Sequence, residues 1–335
     1  MGGKINLIHC KKPKVSVVVI TKDRPAYLKK CLKSLSNQNF PIDLFEVIVV
    51  DGGDAFEVIR SVDRCFNVIY VKQLGHGIPQ ARNMGIKRAH GEIIAFIDDD
   101  CIADENWIKE GAQHFSNREI GIVQGKTLLG KIDFSIEECV RNYKLFFLGV
   151  KIVTPNWNYQ TCNIFYRKKA IDLVGGFDKE LKAGEDTDLA FRVKVNGYKS
   201  VFTDKAIVYH SVIPVDFPSL IKYCSQAYYM PLLVKKHPDL RKRIFLRFFW
   251  TSHDFLFTVA LLSLIFAILF SPIFSIFIAV YFTRAFLGIN HITNFVSKKY
   301  RILYRIFIFP FFIIKDVYNL AFFIAGSLKH KCLVL

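Results

Sequence analysis

The sequence predicts an α/β fold, a mostly parallel sheet followed by apolar C-terminal helices, and three observations predict it. Short β-branched runs alternate with helical spacing from Lys14 to Ile97. Three of the runs end in polar clusters. Beyond residue 232 the composition changes to long apolar segments with basic flanks. Strands alternating with helices imply βαβ units, whose crossovers require parallel pairing. The chain of 335 residues is long enough for one large domain or two smaller ones.

The elements follow in order. KVSVVVI, Lys14 to Ile20, is a buried strand because it is apolar and β-branched almost throughout. Thr21 to Pro25 turns, and Ala26 to Leu35 has helical spacing through Tyr27, Leu28, Cys31, Leu32 and Leu35. FEVIVV, Phe45 to Val50, is a second strand, stopped by Asp51-Gly52-Gly53; Asn67 to Val71 is a third. Ile78 to Ala89 is a helix ending before Gly91, and Glu92 to Ile97 is a fourth strand, ending at Asp98-Asp99-Asp100. In such sheets ligands bind outside the carboxyl ends of the strands. Thr21-Lys22-Asp23, Asp51-Gly52-Gly53 and the three aspartates therefore belong to one functional edge.

The three aspartates repel one another, and no basic residue lies within five positions on either side. A solvated loop or helix cap accounts for a single Asp, and Asp104 or Asp100 is placed to cap a helix over Glu105 to Phe115. Three together at a strand terminus point to a divalent cation, because hard metals take carboxylate oxygens together with substrate phosphates. A second constellation lies in Glu185-Asp186-Thr-Asp188, which opens a helix ending at Gly197. Acidic residues there favour the helix macrodipole. The preceding Lys182-Ala-Gly184 loop also presents a carboxylate to substrate, where it can accept a proton from an attacking hydroxyl. Val208-Tyr-His210 ends another short strand, and His210 is either structural or a ligand.

The formal charge of +17 is concentrated in the C-terminal third, where residues 233 to 335 hold 14 Lys/Arg against 3 Asp/Glu. These charges flank the apolar segments, which reads as a membrane surface with anionic lipids and not as a nucleic-acid interface. Pro218 to Leu233 is amphipathic and aromatic, suited to a membrane interface or to a core helix. Phe255 to Phe282 has no charged residue and is broken at Ser271-Pro272; Ile302 to Leu328 carries only Arg305, Lys315 and Asp316, with Lys315-Asp316 breaking it. The N-terminus has no apolar signal region, and the eight scattered cysteines fit reduced thiols. Cys332-Leu-Val-Leu has the form of a prenylation box, a four-residue match only.

Taken in order, SVVVITKDRPAYLKKCLKSL, FEVIVVDGGD, GHGIPQARNMGIKRAHGEIIAFIDDD, CNIFYRKKAIDLVGGFDKEL, GEDTDLAFRVKVNGY and VYH resemble a family 2 glycosyltransferase with the GT-A fold, over about residues 14 to 212. The resemblance implies a nucleotide-sugar donor, a divalent metal (Mn²⁺ or Mg²⁺) and inversion at the anomeric carbon. It places Thr21 and Asp23 in the nucleoside pocket, Asp51 at the nucleobase, Arg82 near the donor phosphates and Asp99 near the ribose. Asp98-x-Asp100 matches the DxD metal motif, with Asp100 the direct ligand; Asp98 also serves the donor. Asp186 matches the catalytic base, with Glu185 beside it in contact with substrate, and His210 matches the histidine that completes the metal site. The QxxRW motif of processive synthases is absent.

The resulting expectation is a GT-A domain over residues 1–215, an amphipathic basic interfacial segment over 216–250 and membrane-embedded helices over 251–335. The catalytic domain is expected on the cytoplasmic face of the cell membrane, acting on a lipid-linked, polyprenyl-type acceptor hydroxyl, with UDP the favoured nucleotide. Two alternatives are a transferase that charges polyprenyl phosphate itself and a non-catalytic membrane scaffold.

Overall fold

The computed structural model describes residues 13–62, 66–131, 134–288 and 301–335. Ten strands follow in chain order: β1 Val15–Thr21, β2 Phe45–Asp51, β3 Asn67–Lys72, β4 Ile93–Asp98, β5 Cys101–Ala103, β6 Ile120–Leu129, β7 Phe146–Leu148, β8 Asn163–Arg167, β9 Lys199–His210 and β10 Ile213–Val215. Eight of them form one sheet in the order β3-β2-β1-β4-β8-β6-β9-β5. The β3-β2-β1-β4 half is parallel, as the alternation of strands and helices requires. β8 joins antiparallel to both β4 and β6, and β9 runs parallel to β6.

Period-2 alternation assigns the two faces of this sheet. Val15, Val17 and Val19 point to one side, where they pack with Leu28, Leu32 and Leu35 of helix Pro25–Ser36 and with Trp107 and Ile108 of helix Trp107–Ala112. Val18, Ile48 and Val50 point to the other side, against Ala81 and Ile86 of helix Ile78–Arg88 and Leu189 and Val193 of helix Glu185–Val195. The expected helix over Glu105 to Phe115 is shorter, Trp107–Ala112, followed by a 3₁₀ turn over Gln113–Ser116. Neither Asp104 nor Asp100 caps it; Asn106 holds that position, and Asp104 accepts from the Asn106 N–H at 3.1 Å. The short strand expected at Val208 to His210 is the end of the twelve-residue β9.

The chain divides into two compact units: residues 1–132 with 149–212, and 133–148 with 213–335. The first unit is thus not a continuous 1–215 span: residues 133–148 and Ile213–Val215 belong to the second unit, where β7 pairs antiparallel with β10 and Phe146 is buried beside Leu220 and Ile308.

In the second unit, Ser252–Leu269 begins with a capping box between Thr251 and Asp254. The chain breaks at Ser271-Pro272 as expected, and Ser275–Gly288 folds back so that Phe257 and Ala260 meet Tyr281 and Ala285. Lys315-Asp316 does not break the last segment, contrary to expectation. Arg301–His330 is one helix of 30 residues with Pro310 inside it. The buried Asp316 carboxylate is satisfied by His253 at 2.8 Å, Tyr281 at 2.7 Å and Lys315 at 2.7 Å, so the helix carries the charge without unwinding. Ser252–Leu269 and Arg301–His330 are each long and apolar enough to cross a membrane. The Cys332-Leu-Val-Leu segment is held by backbone pairing of Leu335 with Phe248 and Trp250, and Val334 is fully buried.

One close approach fixes the layer that carries helix Trp107–Ala112. A Cβ on Gly111 would stand less than 3 Å from the Phe165 ring, itself buried against Trp107 with ring centroids 4.9 Å apart. Gly111→Val is expected to cost about 1–3 kcal/mol through overpacking. Urea unfolding of the first unit's transition measures it; an unchanged midpoint would show that the layer can shift to accommodate the side chain.

Candidate active site

Strand register brings the polar clusters to one edge. Thr21 at the end of β1 pairs with Asp51 at the end of β2, and Ile20 pairs with Asp98 at the end of β4. The positive charge absent from the local sequence arrives from two distant segments. Arg24, in the turn after β1, donates from Nη1 to Asp99 Oδ1 at 3.1 Å and to Asp100 Oδ2 at 2.9 Å. Thr21 Oγ1 donates to the other Asp99 oxygen at 2.7 Å. Arg82 Nη2 lies 3.6 Å from Asp98 Oδ1. Burial pushes the Asp99 carboxyl up to about 6, opposed by Thr21 and Arg24. Burial also raises Asp100, against the pull of His210 and Arg24.

The same edge holds a ligand set. His210, at the end of β9, pairs in register with Cys101. Its Nδ1 is 2.8 Å from the Ser211 carbonyl, which can only accept, so Nδ1 carries a proton and Nε2 is the nitrogen left to face a metal. Nε2 stands 3.7 Å from Asp100 Oδ1. The ligand atoms of Asp100, Cys101 and His210 lie within 4.8 Å of one another. Burial raises the Cys101 thiol well above the usual thiol range, so it stays protonated and is a poor partner for a hard cation. A carboxylate oxygen and an imidazole nitrogen that are already oriented fit the divalent ion the resemblance implies.

The second carboxylate centre sits on helix Glu185–Val195, which starts after Gly184, a residue with φ 77° that glycine adopts freely. Glu185 faces inward and accepts from Arg82 Nη1 at 2.6 Å, both side chains being buried. The Arg82 guanidinium also lies over the Phe177 ring, 5.5 Å from its centroid. Arg82 thus links the Glu185-Asp186 pair to Asp98. Asp186 is half-buried and accepts from the Thr187 N–H at 2.7 Å. Burial first, and then the neighbouring Glu185 charge, push it up to about 7 against the pull of Arg82. Asp188 takes the structural role, paired with Arg192 at 2.6 Å one turn on.

Thr21, Arg24, Asp99, Asp100 and His210 are connected by these contacts, Arg82 connects Asp98 with Glu185, and the chain itself joins the two groups at Asp98-Asp99 and Asp186 to Glu185. The remaining predicted residues have partners of their own or face solvent. Asp51 is fully buried, and its oxygens are bonded to the Gly53 N–H at 2.7 Å, the Ala55 N–H at 2.9 Å and the Tyr70 hydroxyl at 3.0 Å; it shapes the loop after β2. Arg82 and Glu185 spend their charge on each other, inside the site. Asp23 is exposed with φ 55°, opposite Gly53. Sequence reasoning missed Arg24. Its signal was a lone arginine between two clusters of the functional edge, just ahead of the Pro25 that starts the helix. Tyr159, just ahead of β8, is buried, with its hydroxyl 3.0 Å from Ser200.

Residues 16–174 match the family described as Glycosyl transferase family 2. Glycosyltransferase AglE of Haloferax volcanii is 28% identical over 221 residues, 63% of this chain and 70% of that protein. The putative glycosyltransferase EpsH of Bacillus subtilis is 38% identical over 217 residues, 59% of this chain and 60% of that protein. The solved structure of mannosyltransferase PcManGT from Pyrobaculum calidifontis, in complex with GDP-Man and Mn²⁺, superposes with a TM-score of 0.56 at 14% identity, covering 96% of this chain and 88% of that one. That similarity is one of fold.

Raising a carboxyl costs folding free energy wherever the group must be ionised. The Asp186 folded value lies above its ordinary 3.8, so its proton-linked stability is present at low pH and lost as pH rises through about 7. Asp186→Asn is therefore expected to raise Tm most above pH 7, with the gain fading as pH falls towards 3.8. Thermal unfolding at pH 5 and pH 8 tests this; an equal or smaller gain at pH 8 would show that Asp186 is not desolvated.

Proposed function

We propose, from the premise that this chain belongs to glycosyl transferase family 2, that it moves a sugar from a nucleoside diphosphate to a hydroxyl on a membrane-held acceptor, with inversion at the anomeric carbon. The observation that carries the reading is the chain Asp186–Glu185–Arg82–Asp98, which sets a carboxylate titrating near 7 beside an aspartate cluster that would hold a cation.

In this reading Asp186 accepts the acceptor hydroxyl proton as its oxygen bonds to the anomeric carbon and the bond to the diphosphate breaks on the opposite face. A carboxylate titrating near 7 combines an ionised fraction at neutral pH with a high proton affinity. Asp100 and His210, with Asp98 beside them, would hold a divalent ion, which when bound supplies Lewis-acid stabilisation of the departing diphosphate. Thr21 and Arg24 hold Asp99 where a ribose would be met. Asp51 acts one step back, by shaping the 52–55 loop against which a nucleobase would lie. Arg82 orients Glu185 and through it the start of the helix that bears Asp186.

The membrane-held acceptor is supported by the second unit. Its outward faces expose Leu262, Ile265, Ile268, Ile302, Leu303 and Ile306, an apolar surface unsuited to water. Basic residues from Lys235 to Arg247 flank these segments and suit anionic lipid headgroups at a cytoplasmic face. A polyprenyl-linked sugar is one acceptor class that combines a lipid with a free hydroxyl.

Calorimetric titration of the full chain in detergent with UDP- and GDP-sugars, with and without Mn²⁺, tests the assignment. Asp100→Ala is expected to abolish the metal-dependent part of donor binding, and Asp186→Asn to keep it. With a hydroxyl acceptor, Asp186→Asn should lower kcat by about 10²- to 10⁴-fold, whereas a phosphate acceptor needs no base and should lose far less. The wild-type kcat should fall as pH drops through about 7, where the Asp186 carboxyl takes up its proton. Folded protein that binds no nucleotide-sugar would sink the enzymatic reading in favour of a scaffold.

A further inference from the structure

Arg24 stands in an unusual relation to the ligand set. Its Nη1 binds Asp100 Oδ2, while the other oxygen of the same carboxylate, Oδ1, faces His210 Nε2. The guanidinium and a divalent ion would thus use the two different oxygens of one carboxylate, with the guanidinium also bound to Asp99. The two aspartates are almost fully buried, whereas the Arg24 side chain is 44% exposed. Arg24 supplies the aspartate pair with positive charge before any metal arrives.

Two effects of Arg24 on metal binding oppose each other. It orients Asp100, which helps, and it places a positive charge near a dication, which hinders. Freezing one short carboxylate side chain is worth less than about tenfold in affinity. Repulsion between a unit charge and a dication that share one carboxylate exceeds that even at an effective dielectric of about 20. Exposure of Arg24 and salt reduce the repulsion, but charge still outweighs orientation. A bound diphosphate would reverse the balance, because its negative charge attracts both cations.

We propose that Arg24 is a resident counter-cation that holds metal affinity low until the diphosphate of the donor is present, so that metal and nucleotide bind with positive coupling. The proposal rests on the donor and metal reading given above. It makes Arg24 a positioning and tuning residue, acting through Asp99 and Asp100. Reciprocity then requires the nucleotide to bind more tightly with metal by the same factor.

The test is Mn²⁺ binding followed by the electron paramagnetic resonance of the free ion, on the full chain in detergent, with and without UDP or GDP. Arg24→Gln is expected to bind Mn²⁺ alone about fivefold or more tightly than wild type. The factor by which the nucleotide improves Mn²⁺ affinity should shrink correspondingly. Arg24→Lys, which keeps the charge, should stay near wild type and serves as a second variant; circular dichroism checks the fold of both. If Arg24→Gln leaves Mn²⁺ affinity unchanged or weakens it, Arg24 is an orienting residue only and the proposal fails. Wild type that binds Mn²⁺ but gains nothing from either nucleotide also overturns the coupling. Wild type that binds no Mn²⁺, while calorimetry still detects donor, overturns this proposal and leaves the donor reading standing.

Discussion

Three consecutive carboxylates at the end of a buried strand can persist only if positive charge is delivered to them through the fold. The layered architecture supplies it. Arg24 precedes the helix that packs on one face of the sheet, and Arg82 lies on the helix that packs on the other. Each reaches the end of β4 from its own side, at 2.9–3.1 Å and 3.6 Å. Removing either arginine would leave buried negative charge uncompensated, which costs more than the pair contributes. The position of both helices, and hence the parallel half of the sheet, is therefore tied to this electrostatic requirement.

The same economy explains the neighbouring groups. Glu185 satisfies the far side of Arg82, and that leaves Asp186 next to a negative charge in a poorly hydrated place. Burial first, and the adjacent Glu185 charge second, thus raise the basicity of Asp186, while Arg82 opposes them. His210 gains its orientation in an equally indirect way, from the Ser211 carbonyl that fixes which nitrogen holds the proton.

The parallel strands and their helices were legible in the sequence because buried β-branched runs such as VSVVVI and FEVIVV carry a strong local signal. The clustering of Thr21, Asp51 and Asp98 followed from topology alone, since parallel strands share one carboxyl edge. Roles that depend on side-chain direction were not legible. Nothing local distinguishes Asp51, turned in on its own loop, from Asp99, held by Thr21 and Arg24. The break expected at Lys315-Asp316 failed for the same reason. A charged pair in an apolar helix reads as an interruption until His253 and Tyr281, more than 30 residues away, are seen to bond with Asp316.

The excursion of residues 133–148 has a consequence for how the molecule is made. The first unit is discontinuous: β8, the Glu185-Asp186 helix and β9 all follow the excursion in the chain. During synthesis, Phe146–Leu148 emerges well before Ile213–Val215, its pairing partner, and before Leu220 and Ile308, which bury Phe146. For that interval an aromatic strand with an unpaired edge waits in the nascent chain, a state prone to association with other chains. The first unit closes when His210 leaves the ribosome, and β10 follows within a few residues. Completion of the catalytic edge and pairing of the waiting strand are thus nearly simultaneous, although burial of Phe146 still awaits Ile308, so a pause in translation shortly before residue 210 would delay both at once.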